Sequence, residues 1–334
     1  KHRRFVFSRT KREFNFRAMG NCCCLGREKE AEPLMPSRPV HISEAKTQDC
    51  AVERAALPDD ACSGTEKWGY CVAKNDRRQQ EDAVHICDVH GMEMLCIYDG
   101  HGGQRSVKFV RDELPKAVAA DAACKADPAK SMVSAFTEVD TALVKQLLAH
   151  PEPEKDISSG TTACVALIRP DEVLVANTGD CRAVLSRDGQ AVELSRDHAP
   201  AKSTDEQSRL EALGVKVVDG YVEEELGVSR AFGDVRYSAG AKVAGIIAEP
   251  EVMVHSVDAK CEFLVIASDG IWDCSMTQYN LLTNVRKVLR DSKNPQKAAE
   301  AIVKIASRTN STDNSSALVY VFNMPLPFER SARN

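Results

Sequence analysis

A chain of 334 residues, 43% hydrophobic and 28% charged, has the composition of an ordinary globular protein and enough apolar material for a sizeable core. No stretch approaches the roughly 18 apolar residues of a spanning helix, and a net charge of -5 offers no general attraction to nucleic acid. Its 13 cysteines are odd in number and scattered, which favours a reducing, cytosolic setting over a disulfide framework; no pair of Cys-x-x-Cys units points to zinc.

The N-terminal stretch differs from the rest. "KHRRFVFSRTKREFNFRA" is basic and poor in acids, as transit peptides also are, and it is followed by "MGNCCCLGREKE", which looks like a second beginning. With Met19 as the initiator, Gly20 becomes the terminal glycine that N-myristoylation requires, and Cys22, Cys23 and Cys24 become natural palmitoylation sites. Two such signals give stable peripheral attachment to a membrane, where one does not. The competing reading is a leader with incidental cysteines, because Cys24 stands where Ser or Thr is favoured. Residues 31–62, with Pro33, Pro36, Pro39 and Pro58 among polar residues, read as a linker. The expected organisation is therefore a flexible extension at 1–62, one folded domain at 63–325 and a short tail at 326–334, in a monomeric cytoplasmic protein with an acylation signal.

Within that domain, strand-like runs fall at 83–89 and 92–98, and helical periodicity follows in "QRSVKFVRDELPKAV" and "AKSMVSAFTEVDTALVKQLLAH". Further strands are predicted at 162–169, 172–177, 181–187 and 190–194, the last two joined by Asp188-Gly189, a strong hairpin signal. Strands at 251–257 and 262–268 precede two helical segments within 277–307, and a last strand falls at 316–322. Strands in adjacent groups with paired helices between them predict antiparallel sheets covered by helices, and argue against a βαβ alternation.

Acids recur at the ends of these strands. Asp99 follows "LCIY", Asp180 follows "VLVANTG", Asp269 follows "FLVIAS", Asp313 precedes "NSSALVYVF", and Glu81 and Asp82 precede "AVHICDV". One such acid is ordinarily a solvated turn residue. Should the strand ends converge, the set crowds like charges that cannot all stay ionised unaided, and a hard divalent cation such as magnesium or manganese resolves that conflict.

The motifs "RRQQEDA", "YDGHGG", "SGTTA", "NTGDCRAVL", "RDHAP", "GVSRAFGD", "EPEV", "IASDGIWD" and "DNSSALVYVF" occur in that order. In these the chain resembles the metal-dependent serine/threonine protein phosphatases of type 2C, from about Gly64 to Phe322. The resemblance implies an α+β fold, an αββα sandwich with a binuclear magnesium or manganese centre at one end. It also implies hydrolysis of phosphoserine and phosphothreonine in protein substrates by a metal-bridging hydroxide, without a covalent phosphoenzyme. It makes Asp99 the acid bridging both metals, with the Gly100 carbonyl on one of them. Asp269 and Asp313 become ligands of the other metal, and Glu81 and Asp82 acids of the same centre. Asp180 and Asp273 match a third, weaker metal position, Arg77 a phosphate-binding arginine and His101 a general acid. Arg78 is adjacent to Arg77, so the register of that assignment stays open.

"CVAKNDR", Cys71 to Arg77, also fits the Cys-x5-Arg pattern of cysteine-dependent phosphatases. It lacks the glycines that let backbone amides cradle a phosphate, and is read as a chance match. The segment from Ser203 to Asp234 matches the family's flap unevenly, with Glu223, Glu224 and Glu225 at an expected turn. Glu224 and Arg230 are the flap residues expected to meet substrate, an acidic flap favouring basic phosphopeptides; a solvated charge run is the alternative. "DHAP" lacks the usual lysine after His198. The competing function is a pseudophosphatase that binds phosphoproteins or a kinase without turnover.

Overall fold

The computed structural model describes residues 57–149, 158–274, 276–309 and 311–325; Gly20, Cys22 and Cys23 lie outside them. Strands β1 (Asp60–Gly64) and β2 (Trp68–Ala73) come first, then the hairpin of β3 (Asp82–Val89) and β4 (Met92–His101). Helices α1 (Arg105–Ala120) and α2 (Pro128–Leu148) precede β5 (Gly160–Thr161), β6 (Ala163–Ile168), β7 (Glu172–Thr178), β8 (Arg182–Arg187) and β9 (Gln190–Glu193). The flap segment holds α3 (Thr204–Ala212) and the short strands β10 (Val217–Val218), β11 (Tyr221–Val222) and β12 (Phe232–Gly233); β13 (Val235–Arg236) and β14 (Ala241–Lys242) follow it. Then come β15 (Glu251–Ser256), β16 (Cys261–Ala267), α4 (Asp269–Trp272), α5 (Gln278–Ser292), α6 (Pro295–Arg308) and β17 (Ser315–Val321).

Two antiparallel sheets result, one ordered β1-β2-β17-β16-β8-β9, the other β12-β5-β4-β6-β7-β15 with β3 also on β4. The pleat explains how they stack, because successive side chains point to opposite faces. Along β4, Leu95 and Ile97 enter the core between the sheets, while Met94, Cys96 and Tyr98 enter the core under α1 and α2. Along β16, Leu264 and Ile266 face between the sheets, while Phe263, Val265 and Ala267 face α5 and α6. Strands covered on both faces have no polar side, which is why these runs read as continuous apolar stretches. The layers are helices, sheet, sheet, helices: the αββα sandwich that the resemblance implies.

Local chemistry agrees with the element ends. Asp127 accepts from the Lys130 N–H at 3.1 Å with Pro128 in the first turn of α2, and Asn294 accepts from the Lys297 N–H at 3.0 Å with Pro295 in the first turn of α6. Asp188 (φ 52°) and Gly189 (φ 72°) both take the left-handed conformation that a tight two-residue hairpin needs. Buried side chains such as Phe136, whose ring centroid lies 5.2 Å from that of Phe232, each contribute about 1.5–3 kcal/mol of burial.

The β1-β2 hairpin is the main addition to the predicted elements, and β1 begins inside the stretch read as linker. Its exposed sequence, "DACSG", has no apolar alternation, so only pairing with β2 defines it. Gly69 in β2 lies against the start of α6: a side chain there would overlap the backbone of Gln296. We expect Gly69→Ala to push α6 off the sheet and destabilise the fold by about 1–3 kcal/mol, read as a lower urea midpoint at unchanged slope.

Candidate metal centre

The acids reach one place because three strand ends meet there. Asp99 sits near the end of β4, where its N–H donates to Thr162 Oγ1 (3.1 Å) and its carbonyl accepts from the Thr162 N–H (2.8 Å). The register of β3 on β4 sets Asp82 directly opposite Asp99. Asp269 opens α4 straight after β16, and Asp180 leaves β7 through Gly179 (φ 111°), whose missing side chain lets the turn rest on Thr162. One carboxylate oxygen from each of Asp99, Asp180 and Asp269 lies within 4.8 Å of the others, and all three residues are half-buried.

At that spacing two carboxylates repel by on the order of 3 kcal/mol per pair, taking an effective dielectric near 20. Burial pushes Asp82 up to about 7, against hydrogen bonds from Ser316 and Ser268, with Asp269 and Asp313 adding repulsion. Burial and the neighbouring Asp269 likewise push Asp180 up to about 7. Asp99 is raised well above its ordinary value, by burial and then by Asp82, Asp269, Asp180 and Asp313. Asp269 is raised by burial and Asp313. An all-oxygen donor set that holds its own acids partly protonated fits a hard divalent cation, which would restore their charge.

Around this cluster is a pocket of about 420 Å³ that takes in Arg77, Gly100, His101 and Asp313 from one side and Glu225 to Val228 of the flap from the other. Gly100 donates its N–H to the Glu81 carbonyl at 3.0 Å, an approach close enough that a side chain on Gly100 would press on that oxygen. Arg77 Nη2 donates to Asp313 Oδ2 at 2.6 Å. Arg77 lines the pocket, and Arg78 is not among its lining residues. His101 Nε2 stands 2.7 Å from Oδ1 of the buried Asp234. Burial works against a charged ring, but Asp234 outweighs it and raises His101 above its ordinary value.

Other predicted residues sit differently. Asp273 is exposed and its carboxylate is held by Lys202 Nζ at 2.7 and 3.0 Å, so Asp180 joins Asp99 and Asp269 while Asp273 joins an ammonium. Lys202, three residues beyond the expected lysine position, is the cation there. Arg230 is outside the pocket lining, and its guanidinium donates to Glu206 Oε1 (2.7 and 3.1 Å) and to the Glu249 carbonyl (3.0 Å). It anchors the flap, and with Arg209 and Ser229 it outweighs the burial of Glu206 to hold that acid down to about 2. Glu224 is exposed and paired with Lys216, whereas its neighbour Glu225 lines the pocket. Cys71 is 7% exposed inside β2, pointing into the core under α5 and α6 and outside the pocket lining.

Several residues went unsingled in the sequence. Asn314 is buried, accepts from the Glu81 N–H (2.8 Å) and donates to the carbonyls of Lys74 (2.9 Å) and Gln79 (3.2 Å), so one side chain fixes the loop bearing Arg77 and Glu81. Thr162 clamps Asp99, and Ser268 Oγ donates to Asp82 Oδ2 at 2.9 Å. With Asp234, each lies inside a quoted motif, beside a residue whose charge drew attention first.

A four-layer sandwich with a carboxylate-lined pocket at the ends of its central strands defines a class of metal-centre proteins. The chain belongs to the protein phosphatase 2C family: the family model described as "Protein phosphatase 2C" matches residues 68–315. It is 37% identical over 229 residues to "Probable protein phosphatase 2C 22" of Arabidopsis thaliana, covering 67% of this chain and 57% of that one. It is 37% identical over 268 residues to "Probable protein phosphatase 2C 54" of Oryza sativa subsp. japonica, covering 75% of this chain and 71% of that one. The chain thus spans little more than half the length of the Arabidopsis relative. Among solved structures, a serine-threonine phosphatase 2C from Toxoplasma gondii has the same fold, with a TM-score of 0.64 at 20% identity over 80% of this chain and 98% of that one.

The raised acids give a pH dependence with a definite sign. Asp82 and Asp180, at about 7, lie above their ordinary 3.8, so their contribution to stability is fully present below 3.8 and is lost as pH rises through 7. In chelator, the melting midpoint should be higher near pH 6.5 than near pH 8, with Asp82→Asn reducing that gap; manganese should close it. A wild-type midpoint that is flat across this range in chelator would contradict the crowding.

Proposed function

We propose that this chain hydrolyses phosphoserine and phosphothreonine in protein substrates, using magnesium or manganese. The observation that carries the reading is the convergence of Asp99, Asp180 and Asp269 in a pocket that also takes in Arg77 and His101. Asp99 would be shared by two cations, Asp269 and Asp313 would complete one, and Glu81, Asp82 and the Gly100 carbonyl would complete the other. Bound there, divalent cations supply neutralisation of phosphoryl charge and activation of water for attack on phosphorus.

The chain's own residues do the rest. Arg77, with one donor already on Asp313, presents its other guanidinium donors to the phosphate in a planar fork. His101 has Nε2 committed to Asp234, which leaves Nδ1 to give a proton to the departing serine or threonine oxygen. Asp234 keeps the ring oriented and favours its charged form. Glu225 is the flap acid on the pocket wall, where it accepts from Arg236 Nη2 at 3.1 Å.

Turnover of a phosphothreonine peptide should require manganese or magnesium and stop with chelator. Asp99→Asn should lower kcat at least about 100-fold. Activity that survives chelator and is lost on thiol alkylation would overturn the reading in favour of cysteine chemistry. Separately, Asp234→Asn should lower kcat by about ten- to a hundredfold at nearly constant KM; a change confined to KM would assign Asp234 to binding.

A further inference from the structure

Cys62 and Cys71 occupy the same rung of the β1-β2 ladder. Directly opposed residues of antiparallel strands hold their Cα atoms about 4.5–5.5 Å apart, inside the range of about 4.4–6.8 Å that a disulfide spans, with both side chains on one face. The two side chains stand within bonding reach. Among the described strand pairings, no other rung sets cysteine against cysteine: Cys87 opposes Met94, Cys96 opposes His85 and Val165, Cys164 opposes Ile97 and Asn177, and Cys261 opposes Arg187. The pair is also asymmetric in access, since Cys62 is exposed and Cys71 is buried. That is the arrangement of an attacking and a resolving thiol, one open to an oxidant and the other held behind it.

We propose that Cys62 and Cys71 form a reversible disulfide when the protein meets a peroxide. The Cys62 thiolate attacks one peroxide oxygen, forming an S–O bond as the O–O bond breaks, and the departing hydroxide is protonated to water. Cys71, giving up its thiol proton, then attacks the Cys62 sulfur; the S–S bond forms, the S–O bond breaks, and the second hydroxide leaves as water. Two thiols are oxidised, one peroxide is reduced to two waters, and an external dithiol reverses the change. The bond joins the edge strand of its sheet to the strand that leads into the Arg77 loop. Asp60 of β1 already accepts from the Lys74 N–H at 3.1 Å at the start of that loop, so the link fixes a strand that frames the pocket without touching its acids. The proposal depends on neither the metals nor the hydrolysis.

A tryptic map of the full chain tests it, because Lys67 separates the two cysteines: cleavage at Arg54, Lys67 and Lys74 puts Cys62 in peptide 55–67 and Cys71 in peptide 68–74. After peroxide, thiol blocking and non-reducing digestion, the expected result is one linked species, lighter by two hydrogens than the two peptides together. The chain should take up two fewer blocking groups, and dithiol under native conditions should restore both. In Cys62→Ser, whose change is at an exposed position, the linked species should be absent and peptide 68–74 blocked. Recovery of both wild-type peptides singly and blocked after peroxide overturns the proposal. So does either one linked to a peptide carrying Cys87 or Cys274.

Discussion

Repulsion among carboxylates gathered at the ends of buried strands is the constraint on which the rest of the structure depends. Asp82, Asp99, Asp180 and Asp269 stand at the ends of four different strands, and burial with mutual repulsion raises all of them. A chain does not gather such groups for stability. The sandwich has to be firm enough to hold them together, and its three apolar layers are what make it so. Around the acids the backbone is pinned by uncharged side chains: Thr162 at Asp99, Ser268 at Asp82, and Asn314 at the loop from Lys74 to Glu81. The pocket therefore combines electrostatic tension at its centre with hydrogen bonds that fix the backbone one step further out.

How much of this was legible in the sequence follows from what each residue's neighbours make visible. Asp99 and Asp269 each follow a long apolar run, so a carboxylate there interrupts a pattern, and the αββα layering follows from strands too apolar to have a wet face. β1 and β2 were missed because neither alternates cleanly; β2 is a strand because β17 and α6 are beside it, a tertiary fact. Asn314 and Thr162 do not stand out in the sequence because amides and hydroxyls look alike wherever they stand, and only the hydrogen bonds tell them apart. Arg230 stands out by its place in a motif, but its partnership with Glu206, 24 positions away, is legible only in the fold. The acid at the pocket wall is Glu225 and not Glu224. Glu223 (φ 51°) and Glu224 (φ 65°) both turn through the left-handed region, and no side-chain pattern announces that.

Lys202 supplies a cation that the segment after His198 otherwise lacks. The lysine absent after His198 is replaced by one three residues later, and its long stem carries the ammonium to Asp273. An ammonium and a divalent cation compete for the same oxygens, so Asp273 already has a partner where the resemblance places a third metal. The charge at that corner is therefore balanced from within the chain.

The flap has an apolar centre of its own, built from Leu210, Val222, Val228, Ala231, Val243 and Ile246, and its internal ties converge on Glu206. Those residues contribute nothing to the three layers that carry the acids. A substitution among these six residues thus reshapes one wall of the pocket while leaving the opposite wall under separate structural control. The molecule is divided into a part whose geometry is held by chemistry and a part that can change with the surface it meets, and one pocket is shared between them.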